Sequence, residues 1–210
     1  LAGSLKGGLH FGLSGFAFWS HDVPGFHSEP DFMNSVIDPK VYVRWTQFGV
    51  FTSHMRYHGS HKREPWYYPS VSEIVKKWWK LRYRLLPYIV EESVVATTTG
   101  YPIIQAMLMH HPNDKTCWHI DDQYYFGRSF MVAPVMNSND RRDIYLPEGE
   151  WVNFFTKERF TGPVWLRDVH VPLDEMPVFC RPGTKISVYD YDVNSTDDMD
   201  LTKKSELVIE

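Results

Sequence analysis

Near His111 the chain changes its period, and that change limits the folds open to it more than any other feature. Before it, apolar residues recur at helical spacing between short strand-like runs. After it, the runs SFMVAPV, DIYLPEGEWVNFF, VHVPL and MPVFCRPG are parted by clusters of Asn, Asp, Gly and Pro. Helix and strand in alternation, followed by strands alone, predict an α/β part and then an all-β part. We expect the first over residues 1–111 and an antiparallel β-sandwich over 112–189. Residues 190–210, polar and acidic until Leu207, read as a linker or the start of further sheet.

Within the first part the sequence predicts a short helix, a strand at Gly15 to Ser20, a helix around Pro39 to Phe51, and a longer helix. Ser70-Val-Ser-Glu73 has the form of a capping box and opens the run IVKKWWKLRYRLLPYIVEESVV. Ile74, Trp78, Leu81, Leu85 and Ile89 fall on one face, while Lys76, Lys80 and Arg84 form a solvated ridge. Pro87 removes one helical hydrogen bond and predicts a kink. In the second part, Pro147-Glu148-Gly149 reads as a turn between two apolar runs.

The stretch GFAFWSHDVPGF, residues 15 to 26, carries the first chemical signal. It is apolar through Trp19 and turns polar at Ser20, His21 and Asp22. Two readings are open: a strand of a parallel β/α barrel whose end, with His21 and Asp22, lies at the mouth, or a buried strand that ends at the surface. Pro24 and Gly25 would swing Phe26 over the opening. The second signal is SHMRYHGSHKREPWYY, with His54, Arg56, His58, His61, Arg63 and Trp66. Imidazole and guanidinium donors among aromatic rings suit a ligand rich in hydroxyl groups, and 16% aromatic content points the same way.

Other classes fare worse. A net charge of −4 offers no electrostatic footprint for nucleic acid, and no apolar run approaches the roughly 20 residues that cross a bilayer, so neither is expected as a partner. His54 and His58 have the spacing of a zinc helix but lack its glutamate, and no metal is expected. His110, His111, His119, Asp121 and Asp122 read as surface loop and capping residues. GLSGF is not a nucleophile elbow, and no phosphate-binding glycine loop is present. Cys117 and Cys180 are as compatible with two buried thiols as with one bridge, and Asn194-Ser195-Thr196 is a glycosylation sequon only in a secreted protein. The cytoplasm is slightly favoured over secretion, and a homo-oligomer stays open. LAGSLKGGLHFGLSG begins as if inside a helix, so we expect a piece of a longer polypeptide or one chain of a cleaved one.

In order along the chain, FWSHDVPGF, YVRWTQFGVFTSHMRYHGSHKREPW, LRYRLLPYI, YFGRSFMVAPV, YLPEGEWVNFF and MPVFCRPG resemble the second half of a family 31 glycoside hydrolase. The resemblance implies the C-terminal segment of a (β/α)8 TIM barrel followed by a β-sandwich. Phe-Trp-Ser-His-Asp looks more like the α-xylosidase than the α-glucosidase branch. By the same resemblance Asp22 binds sugar hydroxyls in the −1 subsite, Phe26 is its aromatic wall, His58 binds hydroxyls, Arg56 braces the loop, and Trp19 lines the floor or packs in the core. The family commonly has Gly-Gly-Phe or Cys-Gly-Phe where this chain has Pro24-Gly25-Phe26. Retaining hydrolysis uses two carboxyl groups about 5 to 5.5 Å apart. In the family both are aspartates earlier in the barrel, so the resemblance implies no catalytic residue and no cofactor here. It implies sugar-binding residues of a retaining α-glycosidase whose partners are an α-xyloside or α-glucoside oligosaccharide and the remaining N-terminal part of the same enzyme. The alternatives are a non-catalytic carbohydrate-binding or interaction protein on this fold, and an α-glucosyl or xylosyl transferase.

Overall fold

The computed structural model describes residues 1–27, 31, 34 and 36–210. Helix α1 (Ala2–Leu13) is followed by strand β1 (Ser20–Val23), helix α2 (Pro39–Val50) and strand β2 (His54–Tyr57). Asp38 starts α2 by accepting the N–H groups of Lys40 and Val41, and Pro39 stands in the first turn, where its missing N–H would have no helical partner anyway. β1 and β2 pair in parallel, Ser20 opposite His54 and Val23 opposite Tyr57, with α2 as the crossover. The strand thus lies later than its apolar run predicts. Its ladder begins where β2 begins, and the preceding residues are tied by single contacts. Ser53 Oγ accepts the Trp19 N–H (3.2 Å) and donates to the Trp19 carbonyl (2.7 Å), while Ile103 N–H reaches the Ala17 carbonyl (3.1 Å).

Two helices follow, α3 (Ser72–Arg84) and α4 (Leu86–Thr99). The expected capping box does not form. Pro65 and Pro69 each open a 3-10 turn, so Ser70 sits inside the second of these and α3 starts at Ser72, behind Val71 and with no side-chain cap. Pro87 acts as its chemistry requires: the helix breaks at Leu85 and Pro87 falls in the first turn of α4. Trp78, Leu85 and Ile89 are buried, with Ile74 and Leu81 packed against the same core. The basic ridge is only partly solvated. Lys80 pairs with Asp192 (3.0 Å) and Arg84 Nε donates to the Tyr189 carbonyl (3.2 Å), which pins the start of the tail.

Strands β3 (Ile104–Ala106), β4 (Tyr124–Phe126), β5 (Phe130–Val132), β6 (Arg141–Asn153), β7 (Arg159–His170) and β8 (Val178–Cys180) form one antiparallel sheet, ordered β3-β4-β5-β8-β6-β7. Residues 147–149, expected as a turn, run inside β6 as an irregularity where the register shifts between Leu146 and Gly149. Gly149 takes φ +106°, the Arg181 guanidinium donates to the carbonyls of Glu148 (2.9 Å) and Glu150 (3.1 Å), and the Trp151 indole donates to that of Pro147 (2.7 Å). The tail returns as β10 (Ser205–Val208), antiparallel to β9 (Lys185–Val188).

The helical and sheet parts share one apolar core. Leu5, Phe48, Phe51, Trp78 and Leu85 from the first cluster with Phe126, Phe130, Val178, Ile186 and Ile209 from the second. A buried cation rivets them as well. Arg44 on α2 donates to the carbonyls of Val171 (2.6 Å) and Glu175 (2.7 Å), to Gln47 Oε1 (3.1 Å) and to the Asp140 carboxylate (2.9 Å). These acceptors compensate the desolvation of a guanidinium that is 3% exposed.

Candidate functional site

The two-residue period of β1 and β2 sorts their side chains onto two faces. His21, Val23, Met55 and Tyr57 turn towards α2: the His21 ring lies 4.8 Å from that of Phe48, a Cβ at Gly49 would lie 2.8 Å from the Met55 side chain, and Tyr57 Oη is 2.8 Å from Thr46 Oγ1. Ser20, Asp22, His54 and Arg56 occupy the other face, in register as Ser20–His54 and Asp22–Arg56. Arg56 Nε donates to Asp22 Oδ1 at 2.6 Å, and the Phe18 ring meets His54 edge-on at 6.0 Å. This polar face is what an apolar strand ending in Ser-His-Asp produces when its odd and even positions part company.

At the C-terminal ends of the strands two loops converge. Gly25 N–H donates to the Asp22 carbonyl (2.7 Å), and Gly25 takes φ +114° with its α-carbon against the Trp45 ring, so a side chain there would be strained and crowded. The next residue, Phe26, is 47% exposed, and its ring lies 5.3 Å from that of His58, whose own N–H donates to the Val23 carbonyl (3.2 Å). Asp22 on β1, Arg56 on β2 and the Phe26 and His58 rings are thereby brought to one edge.

His21 does not join them. It is buried at 8% exposure, because the position next to Asp22 on a strand faces the opposite side. The Trp45 indole N–H donates to its Nδ1 (3.0 Å), and since indole nitrogen only donates, the ring proton must sit on Nε2 and point to Thr52 Oγ1 (3.1 Å). Thr52 Oγ1 in turn donates to the Gly49 carbonyl (2.7 Å). Burial, aided by the positive charge of Arg82, pushes the His21 pKa down to about 4. His21 therefore stands as a neutral strut between β1 and α2. Strict alternation from Asp22 is the signal in the sequence that would have found it.

Trp19 lies on the same side as His21. Its ring covers Gly8 of α1, so closely that a Cβ there would come within 2.1 Å, and it sits 5.5 Å from His21 and 6.2 Å from Phe48. The core alternative for Trp19 is the one that fits this packing, on the face away from Asp22. The 53–68 cluster also divides: His54, Arg56 and His58 are exposed, Trp66 is 71% exposed, and Arg63 is buried at 2%. His110 and His111, expected on a surface loop, are half-buried against Tyr125. His110 stacks on its ring at 3.7 Å, and His111 Nε2 is 2.7 Å from its hydroxyl. Among the described residues no group of three or more His, Cys, Asp or Glu side chains is placed to hold a metal ion.

A parallel strand, crossover helix and second strand, with polar groups gathered at the strand ends and an antiparallel sheet behind, define a piece of a β/α-barrel protein with an appended β domain. The family model described as the family 31 glycosyl hydrolase TIM-barrel domain matches residues 1–92, and that of the family 31 C-terminal domain matches residues 100–186. The chain belongs to glycoside hydrolase family 31. It is 34% identical over 194 residues to an α-xylosidase of Emericella nidulans, covering 88% of this chain and 24% of that protein. A second α-xylosidase, from Saccharolobus solfataricus, is 33% identical, covering 94% of this chain and 27% of that protein. Among solved structures, a Flavobacterium johnsoniae family 31 dextranase complexed with isomaltotriose superposes with a TM-score of 0.81 at 33% identity, covering 93% of this chain and 24% of that one. The chain thus spans about a quarter of the length of the curated relatives it matches.

Proposed function

We propose that this chain supplies −1 subsite residues of a retaining α-glycosidase acting on terminal α-xylosidic or α-glucosidic bonds, within a longer polypeptide that carries the nucleophile and the acid/base aspartate. The observation that carries this reading is a pair of contacts on two adjacent parallel strands and the loops that leave them, Asp22 with Arg56 and the Phe26 ring with that of His58. A carboxylate that takes one guanidinium N–H at 2.6 Å keeps further lone pairs as acceptors for hydroxyl hydrogens, so Asp22 reads sugar hydroxyls. Phe26 offers a ring face to the C–H side of the sugar, and His58 offers a ring nitrogen to its hydroxyls. Trp19 and His21 hold the strand from behind. The Phe-Trp-Ser-His-Asp sequence and the α-xylosidase relatives favour a xyloside over a glucoside.

We further assign the appended domain as a β-sandwich in which β9 and β10 cover the six-stranded sheet. Its support is the shared cluster of Ile186, Val188 and Ile209 with Val152, Val178 and Cys180. The changeover from barrel to sheet falls in this reading within residues 100–111, where α4 gives way to β3.

The test is turnover of aryl α-xyloside and aryl α-glucoside by the full-length polypeptide and its Asp22→Ala and His58→Ala variants. Each variant should lose about 10- to 100-fold in kcat/KM, the worth of one or two hydrogen bonds to a charged or buried group, while unfolding as the parent does. Near-normal kinetics in both would remove the subsite from these residues. A strong preference for the glucoside would overturn the branch assignment.

A further inference from the structure

Arg63 lies behind the proposed subsite, and its guanidinium donates to backbone carbonyls of both loops. Nε donates to the Gly25 carbonyl (3.0 Å), Nη2 reaches that of Phe26 (3.5 Å), and Nη1 donates to that of His61 (2.5 Å). The loop after β1 and the loop after β2 are therefore fastened to each other through one planar fork. The Phe26 carbonyl also accepts the Ser60 N–H (2.8 Å), so the joint is double. From the other side, the Tyr42 hydroxyl of α2 donates to the carbonyl of Arg63 itself (2.7 Å), and Tyr42 is stacked between Tyr57 and Tyr68. Gly59 completes the fit, since a Cβ there would lie 2.6 Å from the Phe26 carbonyl oxygen and 2.7 Å from Arg63 Nε.

We propose that Arg63 is a positioning residue that sets the distance between the Phe26 ring and the His58 imidazole, and through it the width of the sugar slot. The physical argument is one of rigidity. Phe26 and His58 are both exposed and their rings meet at 5.3 Å, and beyond the bonds of the His58 N–H to the Val23 carbonyl and of the Ser60 N–H to the Phe26 carbonyl the gap depends on how the two loops are held together. The guanidinium fixes it by holding the backbone of Phe26 and the segment that follows His58 on a single rigid plane, buried where water does not compete for the carbonyls. A lysine at this position reaches one carbonyl at a time and leaves the others without their donor.

The inference rests on the sugar-binding reading of Phe26 and His58, and Phe26→Ala tests that reading separately. In the full-length enzyme, with whichever aryl α-glycoside the parent cleaves, Arg63→Lys should raise KM about 10-fold or more with a smaller change in kcat, because a loosened wall loses contacts made to substrate and transition state alike. Arg63→Lys combined with Phe26→Ala should be no worse than Phe26→Ala alone to within about twofold, since the arginine acts through that ring. Independently of turnover, the carbon-bound proton signals of the His58 ring should move in Arg63→Lys towards their positions in Phe26→Ala. Unchanged KM with unmoved His58 signals, or losses that multiply in the double variant, would overturn the role of Arg63 and leave the subsite standing. Normal kinetics in Phe26→Ala would overturn both. Should Arg63→Lys fail to fold, Gly59→Ala strains the same joint from the opposite side, and normal KM and His58 signals in that variant would equally refute the proposal.

Discussion

Acid should weaken this fold through His21, by an amount that can be worked out. Between β1 and α2 the ring is neutral, its pKa lowered by burial from 6.5 to about 4. As pH falls through about 6.5 the unfolded chain takes up a proton that the folded chain refuses until about pH 4. The stability due to the neutral strut is therefore complete above about pH 6.5 and lost as pH falls through about 4. At about 1.4 kcal/mol per pKa unit, going from about pH 7 to about pH 4 removes about 3 kcal/mol through this group alone. His110, lowered by burial to about 4 as well, adds a loss of the same sign. The two are separated by His21→Gln, which keeps a donor for Thr52, deprives the Trp45 indole of its acceptor, and does not titrate. Urea unfolding of parent and variant, followed by tryptophan fluorescence at both pH values, should show the parent's advantage shrinking by about 3 kcal/mol on acidification while the His110 contribution cancels. A gap that stays constant would refute the buried neutral strut.

Three further outcomes follow from the packing. Arg82, buried and with its pKa pushed down to about 10 by desolvation, donates to the carbonyls of Val50 (2.8 Å), Thr52 and Ser53 (2.8 Å); Arg82→Met should cost about 3 to 5 kcal/mol in urea unfolding, and a loss below about 1 kcal/mol would contradict its role in shaping the turn into β2. Gly8→Ala should destabilise by about 1 to 3 kcal/mol despite the better helix propensity of alanine, because the new methyl meets the Trp19 ring; a stabilised variant would show that Trp19 does not lie on α1. Cys117 and Cys180 are buried free thiols whose pKa values burial pushes up to about 12, so neither should react with a thiol reagent near pH 8 until urea unfolds the chain, and prompt labelling of the folded protein would contradict their burial.

Elements specified by neighbouring residues were legible in the sequence, and those specified by distant partners were not. Asp38-Pro39 starts α2 and Pro87 breaks the α3–α4 run through chemistry confined to one or two turns. The capping box at Ser70 failed because Pro69, its immediate neighbour, closes a competing 3-10 turn, so the rule was sound and its context was read too narrowly. Residues 147–149 carry every local mark of a turn. What keeps them in the strand is Arg181, more than thirty residues on, which satisfies the carbonyls that a true turn would have turned to water. The site divides likewise. Asp22, His21, His58 and Arg63 all stand out by residue type, and the roles proposed for Asp22, Phe26 and His58 come from the family resemblance; the parts of His21 and Arg63 are set by partners that only folding brings within reach, namely the Trp45 indole and the Gly25 and Phe26 carbonyls.

Arg44 carries a consequence for how such a chain can be rebuilt. Its guanidinium is capped by the main-chain oxygens of Val171 and Glu175, which lie in the loop after β7, and by Asp140, just ahead of β6. A chimera that keeps the helices and borrows its sheet from a relative must reproduce that collar of oxygens, or it strands a charge in a dry seam. Recombination across this seam is thereby restricted to donors with the same backbone path, however well their strand sequences agree.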